Sequence, residues 1–308
     1  MSLQDKIKDT EVTLKLASEM SEHYYHKPLV ICYSGGKDSD VMLNIAKKCL
    51  KPDEFEVVNS HTTVDAPETV YHIRDTFKAL SEEGIKTSIL MPRYKGEPTS
   101  MWKLIEIKGM PPTRIVRYCC QVLKETSIPN RVIAVGVRED ESNGRKGRDS
   151  FAFREKRKKL GAEYRSTQHT YAMFRLDQVG GEEAYQCEII KACKKNKDII
   201  VNPIYKFTES DIWEYVRTFE VPMNPLYAKG YKRVGCIGCP MGGRWHQLQE
   251  FANYPKYKEN YIRAFERMAR QNDVKGKEKN FASGEEWFEW WIGGNPKQIK
   301  IEDLGKEG

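Results

Sequence analysis

The 308-residue sequence predicts an α/β fold: a doubly wound, mostly parallel five-stranded sheet followed by a helical C-terminal appendage. Three observations predict it. Short apolar runs of strand-forming residues alternate with longer stretches in helical rhythm. A glycine pair sits where the first of those runs gives way to a helix. After Pro203 the strands stop, and helical sequence punctuated by proline and glycine takes over.

From about Leu3 to Tyr25, Ile7, Val12, Leu14, Leu16 and Met20 recur in a roughly helical rhythm and predict a helix on the edge of the core. Leu29–Tyr33 is the first strand. Asp38 to about Leu50 is a helix with Val41, Met42, Ile45 and Ala46 on its apolar face. Phe55–Asn59 is the second strand. Pro67 to Ser81 is a helix with proline in its first turn, where a missing N–H does no harm. Thr87–Met91, Arg131–Gly136 and Asp198–Asn202 complete the five strands. Thr208-Glu209-Ser210-Asp211 reads as an N-cap with an acidic first turn, ahead of Ile212, Trp213, Val216 and Phe219 on one face. A last helical region is expected from about Trp245 to Gln271. The aromatic tail (Trp287, Phe288, Trp290, Trp291) is expected to dock on the chain's own core. We place the boundary near Tyr205, giving an α/β domain over residues 1–205 and a helical region over 206–308.

Hydrophobic residues make up 39% and charged residues 31%, ordinary values for a globular protein. No apolar run reaches the roughly 18 residues of a membrane-spanning helix. Met1-Ser2-Leu3-Gln4-Asp5-Lys6 lacks the apolar core of a signal peptide. The expectation is a cytoplasmic protein with no membrane partner. Its eight cysteines then suit metal or redox work better than structural disulfides. The net charge of +7 is uneven: Arg145 to Lys159 holds eight Lys or Arg against two acids. That segment is either a solvated basic face or a footprint for a polyanion, a phosphorylated nucleotide or nucleic acid.

The glycine pair lies in Ser34-Gly35-Gly36-Lys37-Asp38-Ser39. Without a Cβ, its amides can approach a ligand closely. The first amides of the following helix have no partner within it, and the helix dipole is positive there, so a phosphate is the natural occupant. Lys37 adds a positive charge, and Ser34 and Ser39 add hydroxyls. Asp38 is either a Mg²⁺ ligand or the N-cap of the helix. The pattern G-x-x-x-x-G-K-[ST] is absent, which disfavours a P-loop kinase or GTPase. The loop resembles the PP-loop of the adenine nucleotide alpha hydrolase superfamily. That resemblance implies a Rossmann-like fold and an adenine nucleotide, ATP or a sulfonucleotide, bound through Ser34, Gly35, Gly36, Lys37, Asp38 and Ser39.

Four further residues form a second constellation. Cys119 and Cys120 are adjacent, and Cys236-Ile237-Gly238-Cys239 is a C-x-x-C followed by Pro240. Thiolates bind soft metals and iron–sulfur clusters. Two adjacent cysteines cannot easily chelate one tetrahedral ion but can ligate two irons of a cubane, which favours a [4Fe–4S] cluster over zinc. Cys32, Cys49, Cys187 and Cys193 read as non-ligands.

Together these residues resemble the phosphoadenosine phosphosulfate reductase family, and the cysteines match the cluster ligands of its adenylylsulfate reductase branch. Asn224-Pro225-Leu226-Tyr227, Gly230-Tyr231 and Gly235-Cys236 resemble the family's segment before its C-x-x-C. Ala134-Val135-Gly136-Val137-Arg138, with Glu139 and Ser142, resembles its fourth strand and arginine-bearing loop. Ala66-Pro67-Glu68-Thr69 resembles the turn after its second strand. The resemblance implies a nucleotide contact at Gly136. It also implies catalytic roles for Lys37, Asp38, Arg117 and Arg138, and Arg114 and Lys124 are further candidate anion clamps.

Two departures stand out. His61-Thr62-Thr63-Val64-Asp65 replaces the family's Asp-Thr-Gly, and no cysteine follows Cys239, where the reductases carry a nucleophilic thiol in a Glu-Cys-Gly-x-x-His-type tail. Three functions follow as expectations. The first is reduction of a sulfonucleotide (PAPS or APS) to sulfite, with a separate thiol or sulfur-donor protein. The second is ATP-dependent sulfur transfer of the tRNA-thiolation or DNA-phosphorothioation kind. The third is a non-catalytic nucleotide-binding subunit of a larger oligomer.

Overall fold

In the computed structural model, the residues described are 1–124, 128, 131–141, 151–154, 172–173, 198–274, 276 and 281–293. Most of the basic segment from Arg145 to Lys159, together with Ser142, Cys187 and Cys193, lies outside them.

Five parallel strands form the sheet: β1 (Leu29–Cys32), β2 (Phe55–Ser60), β3 (Lys86–Leu90), β6 (Val132–Ala134) and β9 (Asp198–Val201), in the order β3-β2-β1-β6-β9. Two strands not expected from sequence, β7 (Phe151–Arg154) and β8 (Ala172–Met173), continue it antiparallel beyond β9. A separate hairpin pairs β4 (Arg93–Tyr94) with β5 (Glu97–Pro98). With β1 central and the order reversing on either side of it, the loop after β1 opens at the switch point, where ligands bind in open α/β sheets.

The parallel strands bury both faces. Leu29, Ile31, Val57, Val132, Ala134, Ile199 and Val201 point to one core, and Val30, Val58 and Ile133 point to the other. The first core is completed by α1 (Leu3–Tyr25), α2 (Lys37–Cys49) and α3 (Pro67–Glu82). Leu14 and Ala17 of α1 are fully buried, so this helix enters the core rather than lying at its edge. Ser2 caps it in a reciprocal box with Asp5.

A second apolar cluster joins Val64, Ala66 and the residues around α4 (Met101–Lys108) to the C-terminal helices. Ser100 caps α4 and Gly109 ends it in the left-handed conformation. The region expected as one helical stretch from Trp245 to Gln271 is two helices, α6 (Arg244–Asn253) and α7 (Pro255–Val274). Pro255 has no N–H to continue the first and is well suited to begin the second. Helix α8 (Gly284–Trp291) brings Trp287, Phe288 and Trp291 into this cluster. Packing crosses residue 205 in both directions, because Ile212 and Tyr215 of α5 (Glu209–Thr218) belong to the first core. Among the described residues, no helix is long and apolar enough to cross a membrane.

Candidate active site

The phosphate loop is shaped by its own side chains. Ser39 Oγ donates to the Gly36 carbonyl (2.8 Å) and accepts from the amides of Gly36 (3.2 Å) and Ser34 (3.3 Å). Gly35 has φ +69°, and a Cβ there would stand 2.9 Å from Ile73. Gly136 lies against the backbone of Asp38 and Ser39, with 3.3 Å of room for a Cβ, so its lack of a side chain lets the β6 loop meet the first turn of α2.

Asp38 does not cap α2; Gly36 holds the N-cap position. The Asp38 carboxylate instead accepts from Arg138 Nε at 2.5 Å. Arg138 is 3% exposed and also donates to Asp140 and, at 2.7 Å, to Glu209. Burial works against its charge, and the three carboxylates outweigh burial and raise its pKa. Lys37, 5% exposed, donates to the Lys232 carbonyl (3.1 Å) and pairs with Glu209 (3.3 Å). Lys37 and Arg138 are thus both engaged by acids rather than free as anion clamps.

The segment from Asn224 onward closes the loop from the other side. Buried Asn224 donates to the Gly35 carbonyl (2.9 Å) and to Thr69 (3.0 Å). The Tyr227 hydroxyl accepts from the Lys37 amide at 2.9 Å. Trp213 stacks edge-on against Tyr227 at 5.4 Å and donates to Glu209. Glu209, Asp140 and Tyr227 carry the pairing at this corner. Glu209 read locally as a capping acid, and Tyr227 was visible only as part of a motif.

The same segment then reaches the cysteines. Ile237 N donates to the Val64 carbonyl (2.8 Å), and Cys236 forms an antiparallel bridge with Asp65, so the turn after β2 supports the C-x-x-C. Gly238 donates to Glu250 (2.7 Å) and accepts from Gln247 (2.9 Å); Tyr261 donates to the Ile237 carbonyl (2.9 Å). Cys119, Cys236 and Cys239 share the second apolar cluster. Cys119 feels the charges of Cys120, Cys236 and Cys239, and its thiol is pushed up, first by its hydrogen bond with Cys120 and then by burial. Cys120 is pulled down to about 5, first by that hydrogen bond and also by Arg117, whose guanidinium lies 3.6 Å from its sulfur. Lys124 is raised, chiefly by Cys236 and then by Asp65, Cys120 and Cys239. Arg114 is exposed.

Among the described residues, no three His, Cys, Asp or Glu side chains could hold a single metal ion. Asp38 therefore marks no preformed Mg²⁺ site. The four thiols fall under the same finding. Their donor chemistry, all thiol and beside Arg117 and Lys124, is of the kind that suits a soft metal or an anionic cluster. Cys32 packs against the core on the other face of the sheet and Cys49 against the first core, and their thiols are pushed up to about 12 and about 11, in both cases chiefly by burial.

An uncharacterized protein of Methanocaldococcus jannaschii is 27% identical over 251 residues, which is 78% of this chain and 42% of that protein. An adenosine 5'-phosphosulfate reductase of Burkholderia cepacia is 50% identical over 38 residues, 12% of this chain and 15% of the reductase. The chain thus spans less than half the length of these relatives. The crystal structure of phosphoadenylyl-sulfate reductase from Candida auris matches with a TM-score of 0.42 and 15% identity, over 74% of this chain and 87% of that one. The family model for the phosphoadenosine phosphosulfate reductase domain matches residues 28–241. Those residues run from the strand that opens the phosphate loop to the turn beyond Cys239, and the chain belongs to that family.

Proposed function

We propose that the chain is an adenine-nucleotide-dependent enzyme of sulfur chemistry, with a nucleotide-binding part to residue 205 and a cysteine-bearing helical part beyond it. The reading rests on one observation. The run from Asn224 to Cys239 touches the phosphate loop through Asn224, Tyr227 and Lys232 and ends at the thiols. Nucleotide phosphates would take the loop amides of Ser34–Ser39, with Lys37 neutralising charge that builds on the leaving phosphate. Cys119, Cys120, Cys236 and Cys239 would hold a [4Fe–4S] cluster, which supplies local charge and a soft sulfur-rich surface. Among the described residues every cysteine is free, which suits a reducing, cytoplasmic compartment.

In the reductive form, a thiolate attacks the sulfur of PAPS or APS. The S–O bond to the nucleotide breaks and the nucleotide phosphate leaves with the electron pair. A second thiol then displaces sulfite from the thiosulfonate and closes a disulfide. With the four clustered cysteines as ligands, a separate thiol protein provides both sulfurs. Arg117 and Lys124 would hold the sulfonate oxygens.

A second reading, ATP-dependent sulfur transfer, is favoured by Asp38, Asp140 and Glu209 around Lys37 and Arg138. Bare polyphosphate is repelled by that set, whereas a nucleotide bringing its own Mg²⁺ is not, since Mg²⁺ binds through one or two carboxylates plus phosphates. Here an acceptor oxygen is adenylated with release of pyrophosphate, and sulfur displaces AMP. The test is turnover by anaerobically purified full chain. Sulfite from a sulfonucleotide with a dithiol supports reduction, and pyrophosphate from ATP supports transfer. Neither product, under conditions where nucleotide binds, overturns the enzymatic reading.

A further inference from the structure

We propose that the rim around the four cysteines is a docking surface for single-stranded nucleic acid, with the Trp245 indole as its stacking platform. The proposal deepens the transfer reading by naming its acceptor class, and it stands on binding rather than turnover.

The sequence from Ile107 to Lys124 and from Val221 to Gln249 contains no Asp or Glu, while the two stretches hold eight Lys or Arg, four in each. The fold gathers both around the thiols. Arg117 lies against Cys120 and feels Cys239. The Gly242 amide donates to the Cys239 carbonyl at 3.0 Å, so α6 begins within a turn of that cysteine. The end of α8 ties the two stretches together: the Trp291 indole donates to the Pro112 carbonyl at 2.6 Å, and a Cβ on Gly293 would stand 3.8 Å from Arg244 Cδ.

On this rim Trp245 is 84% exposed and Ile115 73% exposed. Arg114, Arg233 and Arg244 are exposed and form no ion pair with any described acid. The acids facing this region are engaged: buried Glu250 accepts from Gly238 and pairs with His246, Asp65 accepts from the Thr62 amide and faces Lys124, and Glu68 pairs with Lys229.

Charge and shape select the occupant. A rim whose exposed Arg114, Arg233 and Arg244 pair with no described acid attracts a polyanion. Two isolated apolar side chains do not make the contiguous apolar core that a protein partner needs. An exposed indole among guanidinium groups offers a face to any unpaired base, with cations placed for phosphates. Duplex DNA keeps its base faces stacked, so a single strand is the ligand that uses both features.

Fluorescence anisotropy of the full chain with short labelled oligo-dT and oligo-U tests this, the two arms separating DNA from RNA. Binding is expected at low salt, weaker for a duplex of equal length. Trp245→Ala should lower affinity about tenfold and Trp245→Phe should restore most of it. Arg233→Gln and Arg244→Gln should each reduce the salt slope by about one. No binding at low salt, wild-type affinity in Trp245→Ala, or equal competition by polyglutamate or anionic vesicles overturns the proposal. Pyrophosphate release measured on the same variants keeps the two readings apart. Release without oligonucleotide binding overturns the surface and leaves transfer standing; Trp245-dependent binding without release supports the surface and removes transfer.

Discussion

The two ends of the run from Asn224 to Cys239 use positive charge in opposite ways. At the phosphate loop, Lys37 and Arg138 are buried and already paired with Glu209, Asp38 and Asp140. At the cysteine end, Arg117 and Lys124 face sulfur, and Arg233 and Arg244 pair with no described acid. At the first end the Glu209 carboxylate and the Tyr227 hydroxyl already engage the Lys37 ammonium and amide. The second is a set of cations and thiols that, in the function proposed above, would hold a cluster. A ligand at the loop must exchange with protein groups. On the proposed reading, a group held at the cysteines would complete the site.

The largest expected effect tests the unfinished end. Cys236→Ala in anaerobically purified protein should take iron and acid-labile sulfide to background and remove visible absorbance. Cys32→Ala should leave both intact, because Cys32 sits in a separate core with its thiol pushed up to about 12. Equal iron loss in both variants would mean general unfolding, and retained iron in Cys236→Ala would remove the cysteine set from the cluster.

A smaller effect of unusual sign tests the finished end. Glu209→Gln keeps the shape of the side chain and removes one negative charge beside Lys37 and Arg138. Nucleotide affinity should then rise about fivefold, the weight of one partly exposed charge pair, about 1 kcal/mol. Calorimetric titration of wild type and variant with ATP decides it. Unchanged or weaker binding would make Glu209 a ligand rather than a stand-in for the phosphate.

The same contrast explains what the sequence disclosed. The turn from Ser34 to Ser39 was legible because its hydrogen bonds run within six consecutive residues at the junction of a strand and a helix. The inner parallel strands were legible because burial on both faces makes them short apolar runs, whereas the edge strand β3 shows its apolar residues only at Ile89 and Leu90. The cysteines were legible as residue types, and their assembly was implied only by the family resemblance, because the contacts of Val64 and Asp65 with Ile237 and Cys236 that support the C-x-x-C span most of the chain. Glu209 carried no signal of its bond to Arg138, which is wholly tertiary. Helix α4 was missed although its Ser100 and Gly109 caps are in the sequence, because its apolar stretch from Met101 to Lys108 is too short for a period to declare itself. Pro255 marked a boundary that the aromatic rhythm around it concealed.

The smallest effect lies outside both ends and shows whether α5, which delivers Glu209, is held independently of the site. Asp211 of α5 pairs with Lys6 of α1 at 2.5 Å and caps its own helix through Thr208. Burial alone would raise this carboxyl, but Lys6 and Thr208 outweigh burial and hold it below its ordinary 3.8. A depressed carboxylate contributes stability that is present above the ordinary value and is lost as pH falls through the folded one. Asp211→Asn should therefore cost on the order of 1 kcal/mol in urea unfolding at neutral pH, and the difference from wild type should shrink as pH falls below about 4. Its nucleotide affinity should stay at the wild-type value, because α5 is also held by Ile212 and Tyr215 in the first core. A stability difference that does not change with pH would assign the effect to capping rather than charge. A fall in nucleotide affinity would mean that the seat at Lys37 depends on the anchor at Lys6, the two acids of the first turn of α5 then acting as one unit.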